Sequence, residues 1–295
     1  MSEIRKLPAS AGAEWLLSGF ALLRKAPLGL SVLGVIWALA ALLVMALSAL
    51  HPVMSTLGQL VMAVAGPVFF GGLVWAAREV DQGRAPQPAH LLQGLYEGRL
   101  PNLMAALLPQ LVAGLVLGIL LFTLIGTDGL HQLGAVVDKL NTLSQSGAQP
   151  TQEEMEAMAA SLPAGRILLW LLCVVAVVIA VSLALFTFSP QVMFEHRNGL
   201  QALRQSLLAC LRNLLPMAVF IILAIIAVFA VYFAVMIVAM LLNLVGGAML
   251  GLFVAQLALM GVVMPVLAGA VYAAWRQLFG PASTPPPVPG DVFHA

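Results

Sequence analysis

The side chains of this 295-residue chain that could do chemistry gather in two short runs. The first is Arg78-Glu79-x-Asp81-Gln82-Gly83-Arg84. Carboxylates placed this closely can divide acid–base work or hold a hard cation. The same run also reads as the solvated end of a helix, with Gly83 as its stop. The second run is Glu195-His196-Arg197. A Glu–His pair beside a bilayer can shuttle protons, and it can equally anchor a helix end among lipid headgroups. An enzyme built from both runs would need Glu79, Asp81, Glu195 and His196 to surround one pocket.

The remaining reactive residues are dispersed. His51, His90, His131, His196 and His294 show no H-E-x-x-H spacing, and no Cys-x-x-Cys is present, so the sequence predicts no metal site and no cofactor. Cys173 falls within an apolar stretch and Cys210 on an amphipathic one, and both read as structural thiols. No arrangement of these residues identifies a reaction. The expectation is a protein that is not an enzyme.

The elements that carry these runs are apolar to an extent no water-soluble surface allows. Hydrophobic residues are 62% of the chain and charged residues 8%, against roughly 25% charged in soluble domains; mean hydropathy is +1.04. Spans of about 20 apolar residues cross a bilayer, and they are predicted at Leu28–Leu50, Thr56–Ala77, Leu103–Gly126, Ile167–Ser189, Leu215–Leu242 and Gly247–Trp275. None contains Asp, Glu, Lys, Arg or His. Period-two alternation is missing, so the fold class is an all-α membrane protein, a six-transmembrane-helix bundle. Coupled ion transport, which keeps ionisable groups inside the spans, is disfavoured. The polar residues at membrane depth are the neutral Gln59, Gln110, Asn243 and Gln256. Their expected role is hydrogen bonding between helices, worth roughly 0.6–2 kcal/mol each.

Apart from Lys139 and Arg166, every Lys and Arg lies before span one, between spans two and three, between spans four and five, or after span six. The positive-inside rule then places both termini in the cytoplasm. Short segments ahead of spans one, three and five carry apolar stripes: Leu16, Phe20 and Leu23; Leu91, Leu92 and Leu95; Leu200, Leu203, Leu207, Leu211 and Leu214. They predict amphipathic interfacial helices, and with the rhyming Pro67-Val68-x-x-Gly71 and Pro265-Val266-x-x-Gly269 they admit three repeats of interfacial helix plus transmembrane hairpin. Amphipathic linkers are common between spans, so the repeat remains one of two readings. A single membrane domain is expected over 1–279, with a helical hairpin in an outer loop at about 127–165. A disordered, Pro-rich cytoplasmic tail is expected over 280–295. Thr151-Gln152-Glu153-Glu154 forms a capping-box signature within that loop.

Several ordered stretches resemble the BPSS-type family of proteobacterial inner-membrane proteins: Leu7-Pro8-Ala9-x-x-Gly12-x-x-Trp15 with Arg24-x-x-Pro27, Ala76-Ala77-Arg78-Glu79-x-Asp81-Gln82-Gly83, Ser206-Leu207-x-Ala209-Cys210-x-Arg212-Asn213, and the end from Tyr272 to Arg276. A fainter likeness of layout links the chain to the membrane domain of some glycerophosphodiester phosphodiesterases. The first resemblance implies a multi-pass protein of the bacterial inner membrane and implies no activity. Basic amphipathic segments attract anionic headgroups, whereas a net charge of +1 gives no footprint for nucleic acid. The expected function is a scaffold or accessory protein working through lipid or protein contacts, the protein partner being open. The alternative is a passive facilitator for a small apolar solute or lipid.

Overall fold

A computed structural model describes residues 4–147 and 149–280. It is 87% helical, with no strand among the described residues, and six of its helical segments are long and apolar enough to cross a membrane. The all-α, multi-pass class read from composition is therefore the observed one. The Pro-rich tail from Pro281 onward lies outside the described residues.

The chain opens with α1 (Ala11–Lys25), α2 (Pro27–Ser48) and α3 (Pro52–Asp81). Residues 88–106 follow as short pieces, with 3₁₀ turns at Pro88–Leu92 and Met104–Ala106 around α4 (Gln93–Tyr96) and α5 (Leu100–Leu103). Then come α6 (Leu107–Ser146), α7 (Gln152–Ser161), α8 (Ala164–Leu185), α9 (Phe188–Phe194), α10 (Gly199–Arg212) and α11 (Leu214–Phe279). Proline starts α2 and α3, where its missing N–H is one that a helix leaves unpaired anyway. Two glycines break the longest helices: Gly126 with φ 73° in α6 and Gly247 with φ 80° in α11. Only glycine takes this backbone region cheaply. The two arms of α11 on either side of Gly247 are the predicted spans five and six.

Contacts group the described residues into two compact units, one reaching to Ala106 and resuming at Ala184, the other being Leu107–Leu183. In the second unit Trp170 Nε1 donates to the Leu117 carbonyl at 3.1 Å, tying α8 to α6. Beyond Gly126, α6 continues to Ser146 and turns at Gly147, where φ is 67°. The Thr151 capping box starts α7, and Lys139 Nζ reaches Glu154 at 3.2 Å across the turn. Thr151's backbone N–H and Lys139 hold the Glu154 carboxyl below the usual carboxylate range.

In the first unit, packing is tight at the end carrying the basic residues and loose at the other. Leu30, Leu33, Leu73, Val74, Ala268 and Tyr272 form one buried cluster, and Val68, Leu103, Phe188, Val192, Met193 and Ala202 another. The far ends of the same helices are bare: Leu50 is 77% exposed, Leu244 82% and Met249 88%. Apolar exposure on this scale, on helices long enough to cross a bilayer, suits a surrounding of lipid chains. The N-terminal segment is stapled beside the C-terminal helix, because Arg5 N–H donates to the Leu278 carbonyl at 3.3 Å. Asn213, almost fully buried, accepts from Leu7 N–H at 2.8 Å and donates to the carbonyls of Arg5 and Ala209 at 3.0 and 2.9 Å.

The predicted interfacial helices depart from expectation in two ways. Ahead of span three there is no single helix: Gly98 at φ 66° and Pro101 cut the segment into short turns. In α10 the predicted leucine stripe is split: Leu203 is buried and Leu207 half-buried, while Leu200, Leu211 and the following Leu214 are exposed. Ala202, Leu203, Ser206, Ala209 and Cys210 are buried, while Leu200, Leu208 and Leu211 are exposed. Small residues let α10 approach its neighbours closely, which leaves Leu200, Leu208 and Leu211 pointing away. α1 behaves similarly: Cβ atoms on Gly12 and Gly19 would meet the carbonyls of Pro216 and Val266, so α1 lies backbone-to-backbone against both arms of α11.

Candidate functional site

The charged runs read from the sequence meet at the basic end of the first unit, where α3, α9 and α11 all finish. α3 stops because Gly83 adopts φ 78°, which folds Arg84 back so that its N–H donates to the Glu79 carbonyl at 2.8 Å. The same turn brings the two side chains together. Arg84 grips the Glu79 carboxylate through Nε and Nη2, the latter at 2.7 Å, and also donates to Gln82 Oε1. Glu79 holds the Arg84 guanidinium above its ordinary value. Nearby, His90 Nδ1 accepts the Gln87 N–H at 3.1 Å. Partial burial pushes the His90 pKa down, with the Glu79 charge acting in the opposite sense.

Asp81 faces the other way. Its Oδ2 accepts from the Tyr272 hydroxyl at 3.0 Å and from Arg276 Nη1 at 2.5 Å. Glu195 accepts from Trp275 Nε1 at 2.7 Å on one oxygen and from Arg197 Nε at 2.6 Å on the other. Arg78 forms no ion pair among the described residues; its guanidinium sits 4.8 Å from the Phe194 ring centre and 5.5 Å from that of Trp75. Phe194 in turn touches Trp275 and Tyr272 at 5.0 and 6.1 Å between ring centres. Such contacts between a cation and a partly desolvated ring are worth about 0.5–2 kcal/mol.

Of the six residues predicted as a polar cluster, Arg78, Asp81, Glu195 and Arg197 join one aromatic-lined lattice across three helix ends. Glu79 belongs to a separate pair with Arg84. His196 is exposed and makes no hydrogen bond to Glu195; it fills the left-handed position that ends α9, with φ 54°. Of the four residues required by an acid–base site, Glu79, Asp81 and Glu195 are therefore engaged separately and His196 stands apart on the surface. Each carboxylate has its own cation; of the three pairs only Asp81–Arg276 joins two helices, and Glu195 is tied to α11 through Trp275. Sequence reasoning missed Trp75, Phe194, Tyr272 and Trp275 as the apolar half of the lattice. The available signal was the rhyme between Ala76-Ala77-Arg78 and Ala273-Ala274-Trp275-Arg276.

The membrane-depth amides divide as well. Gln59 Nε2 donates to Ser55 Oγ at 3.2 Å within its own helix, so the interhelical role expected for it is not observed. Asn243, with its nitrogen turned toward them, donates to the carbonyls of Ala239 at 3.2 Å and Gly247 at 3.3 Å, which satisfies the break in α11 rather than a second helix. Gln110 is exposed on α6 and is likewise not bonded between helices among the described residues. Gln256 lines an apolar groove of about 570 Å³ bounded by α2 and both arms of α11.

No family model matches the chain, and no curated protein and no solved structure matches it either.

Proposed function

We propose that this is a non-enzymatic, multi-pass protein of the bacterial inner membrane, both ends cytoplasmic, that acts as a scaffold or accessory protein through anionic lipid. The observation that carries the reading is the outward face of α10. Leu200, Leu208 and Leu211 point away from the protein, continued by Leu215 at the start of α11, and Arg204 and Arg212 are exposed among them without an ion-pair partner among the described residues. A helix with this face lies at the headgroup boundary, leucines in the acyl region and guanidinium groups at the phosphates. Each arginine near an anionic surface contributes about 1 kcal/mol. The resemblance to BPSS-type inner-membrane proteins and the position of the basic residues support the location and the orientation. Separate engagement of Glu79, Asp81 and Glu195 supports a structural role for the charged cluster.

Native mass spectrometry of the protein released from membranes of mixed phosphatidylethanolamine and phosphatidylglycerol tests this. The expected result is preferential retention of phosphatidylglycerol, reduced about tenfold or more in Arg204→Gln/Arg212→Gln. Equal retention of the two lipids would remove the proposal. The facilitator alternative gains the groove beside Gln256 but loses a continuous path there, because α2 and the second arm of α11 close on each other at Gly34 and Gly261.

A further inference from the structure

The groove bounded by α2 and α11 is a wedge. At its closed end a Cβ on Gly34 would lie 2.9 Å from the Gly261 Cα, so the two helices touch there. Away from the basic end they separate around Ala41, Met45, Tyr232, Met236, Met249 and Gln256. Its volume of about 570 Å³ falls within the roughly 300–1,000 Å³ of small-molecule sites. Methionines supply an adaptable wall.

Two polar side chains interrupt this lining. Gln256 and Tyr232 form no hydrogen bond with any described residue, and both open into the groove. Gln256 lies nine positions after Gly247, about 14 Å at about 1.5 Å per residue, which is near the middle of a roughly 30 Å hydrocarbon layer. An amide without a partner is costly at that depth. No charged residue lines the groove, so a phosphate headgroup has nothing to meet. In a phospholipid the charged headgroup holds the ester carbonyls at the interface, a tether that an uncharged lipid lacks.

From this we infer that the groove is a binding site for one uncharged lipid, whose carbonyl or hydroxyl oxygens meet the Gln256 amide and the Tyr232 hydroxyl while its apolar body fills the wedge. Two sources share this chemistry, a diacylglycerol-like lipid and a long-chain quinone. The site is independent of the α10 face, so either reading can fail without the other.

The test uses full-length protein in vesicles of phosphatidylethanolamine and phosphatidylglycerol, with a diazirine-bearing diacylglycerol as photoprobe. Cross-links are expected to concentrate on Met45, Met236, Met249 and Phe253. Excess dioctanoylglycerol or decylbenzoquinone should displace them, the stronger competitor naming the source, while dioctanoyl-phosphatidylglycerol should not. Ala41→Trp, which fills the wedge, should abolish the signal, and Gln256→Leu should weaken it roughly 3- to 20-fold, the equivalent of one hydrogen bond in a bilayer. Retained melting temperature in both variants shows that they are folded. Cross-links spread evenly over the exposed leucines of other helices would overturn the site. So would equal competition by the charged lipid, or an unchanged signal in Ala41→Trp.

Discussion

At the residue scale, the most consequential polar side chain is Asn213, which closes one of the family-like stretches of the sequence but carries no role there. One amide joins the N-terminal segment, the end of α10 and the start of α11. Asn213→Ala leaves several buried backbone groups unpaired and should cost about 2–4 kcal/mol, read as a lower melting temperature in detergent. His196 gives the opposite expectation. Its left-handed backbone strains a β-carbon, so His196→Gly should be neutral or stabilise by up to about 1 kcal/mol in the same assay. A proton-shuttling histidine would instead lose function on that change. Cys210 is fully buried, and burial pushes its thiol from 9.0 up to about 12. A thiol raised in this way contributes stability that is intact below pH 9.0 and is lost as pH climbs toward about 12. Maleimide labelling of Cys210 at pH 8 should therefore be about a hundredfold slower, or more, in the native protein than in denaturant.

At the element scale, glycine spacing separates contact from exposure. Gly12 faces the Pro216 carbonyl with no room for a methyl group, whereas Gly118 has open space around it. Gly12→Ala should destabilise by about 2 kcal/mol or more through displacement of α1. Gly118→Ala should leave the stability within about 0.5 kcal/mol of the parent in the same melting assay. The Gly-x-x-x-Gly pattern at Gly114 and Gly118 looks identical in sequence to a packed one, and only the structure tells them apart. Span positions were legible because hydropathy over about 20 residues is a strong signal. The burial direction of α10 was not. A leucine stripe marks the apolar side of a helix, yet beside a bilayer that side has two candidate partners, protein and lipid. Small residues at Ala202, Ser206 and Ala209 were the discriminating mark.

At the scale of the whole chain, the basic residues and the tight packing share one end of the first unit. Charge lattice, aromatic contacts and the stapled N-terminal segment converge where α3, α9 and α11 finish, while the opposite ends of α2 and α11 spread apart. Apart from Arg276, the charged positions of that lattice were legible in the sequence as two runs. Their partition was hidden, because it depends on which helix ends the fold brings together: Glu79 turned back to Arg84 by Gly83, and Asp81 and Glu195 turned toward α11. A tightly packed basic end with an outward leucine–arginine face fits the lipid-reading scaffold proposed above. The most direct test is collision accessibility of spin labels at Leu208 and Leu211 in phosphatidylethanolamine–phosphatidylglycerol vesicles. Oxygen should relax both labels more strongly than an aqueous nickel chelate does, placing that face in the acyl region. A stronger effect of the nickel chelate at both positions would put α10 in water and contradict the account.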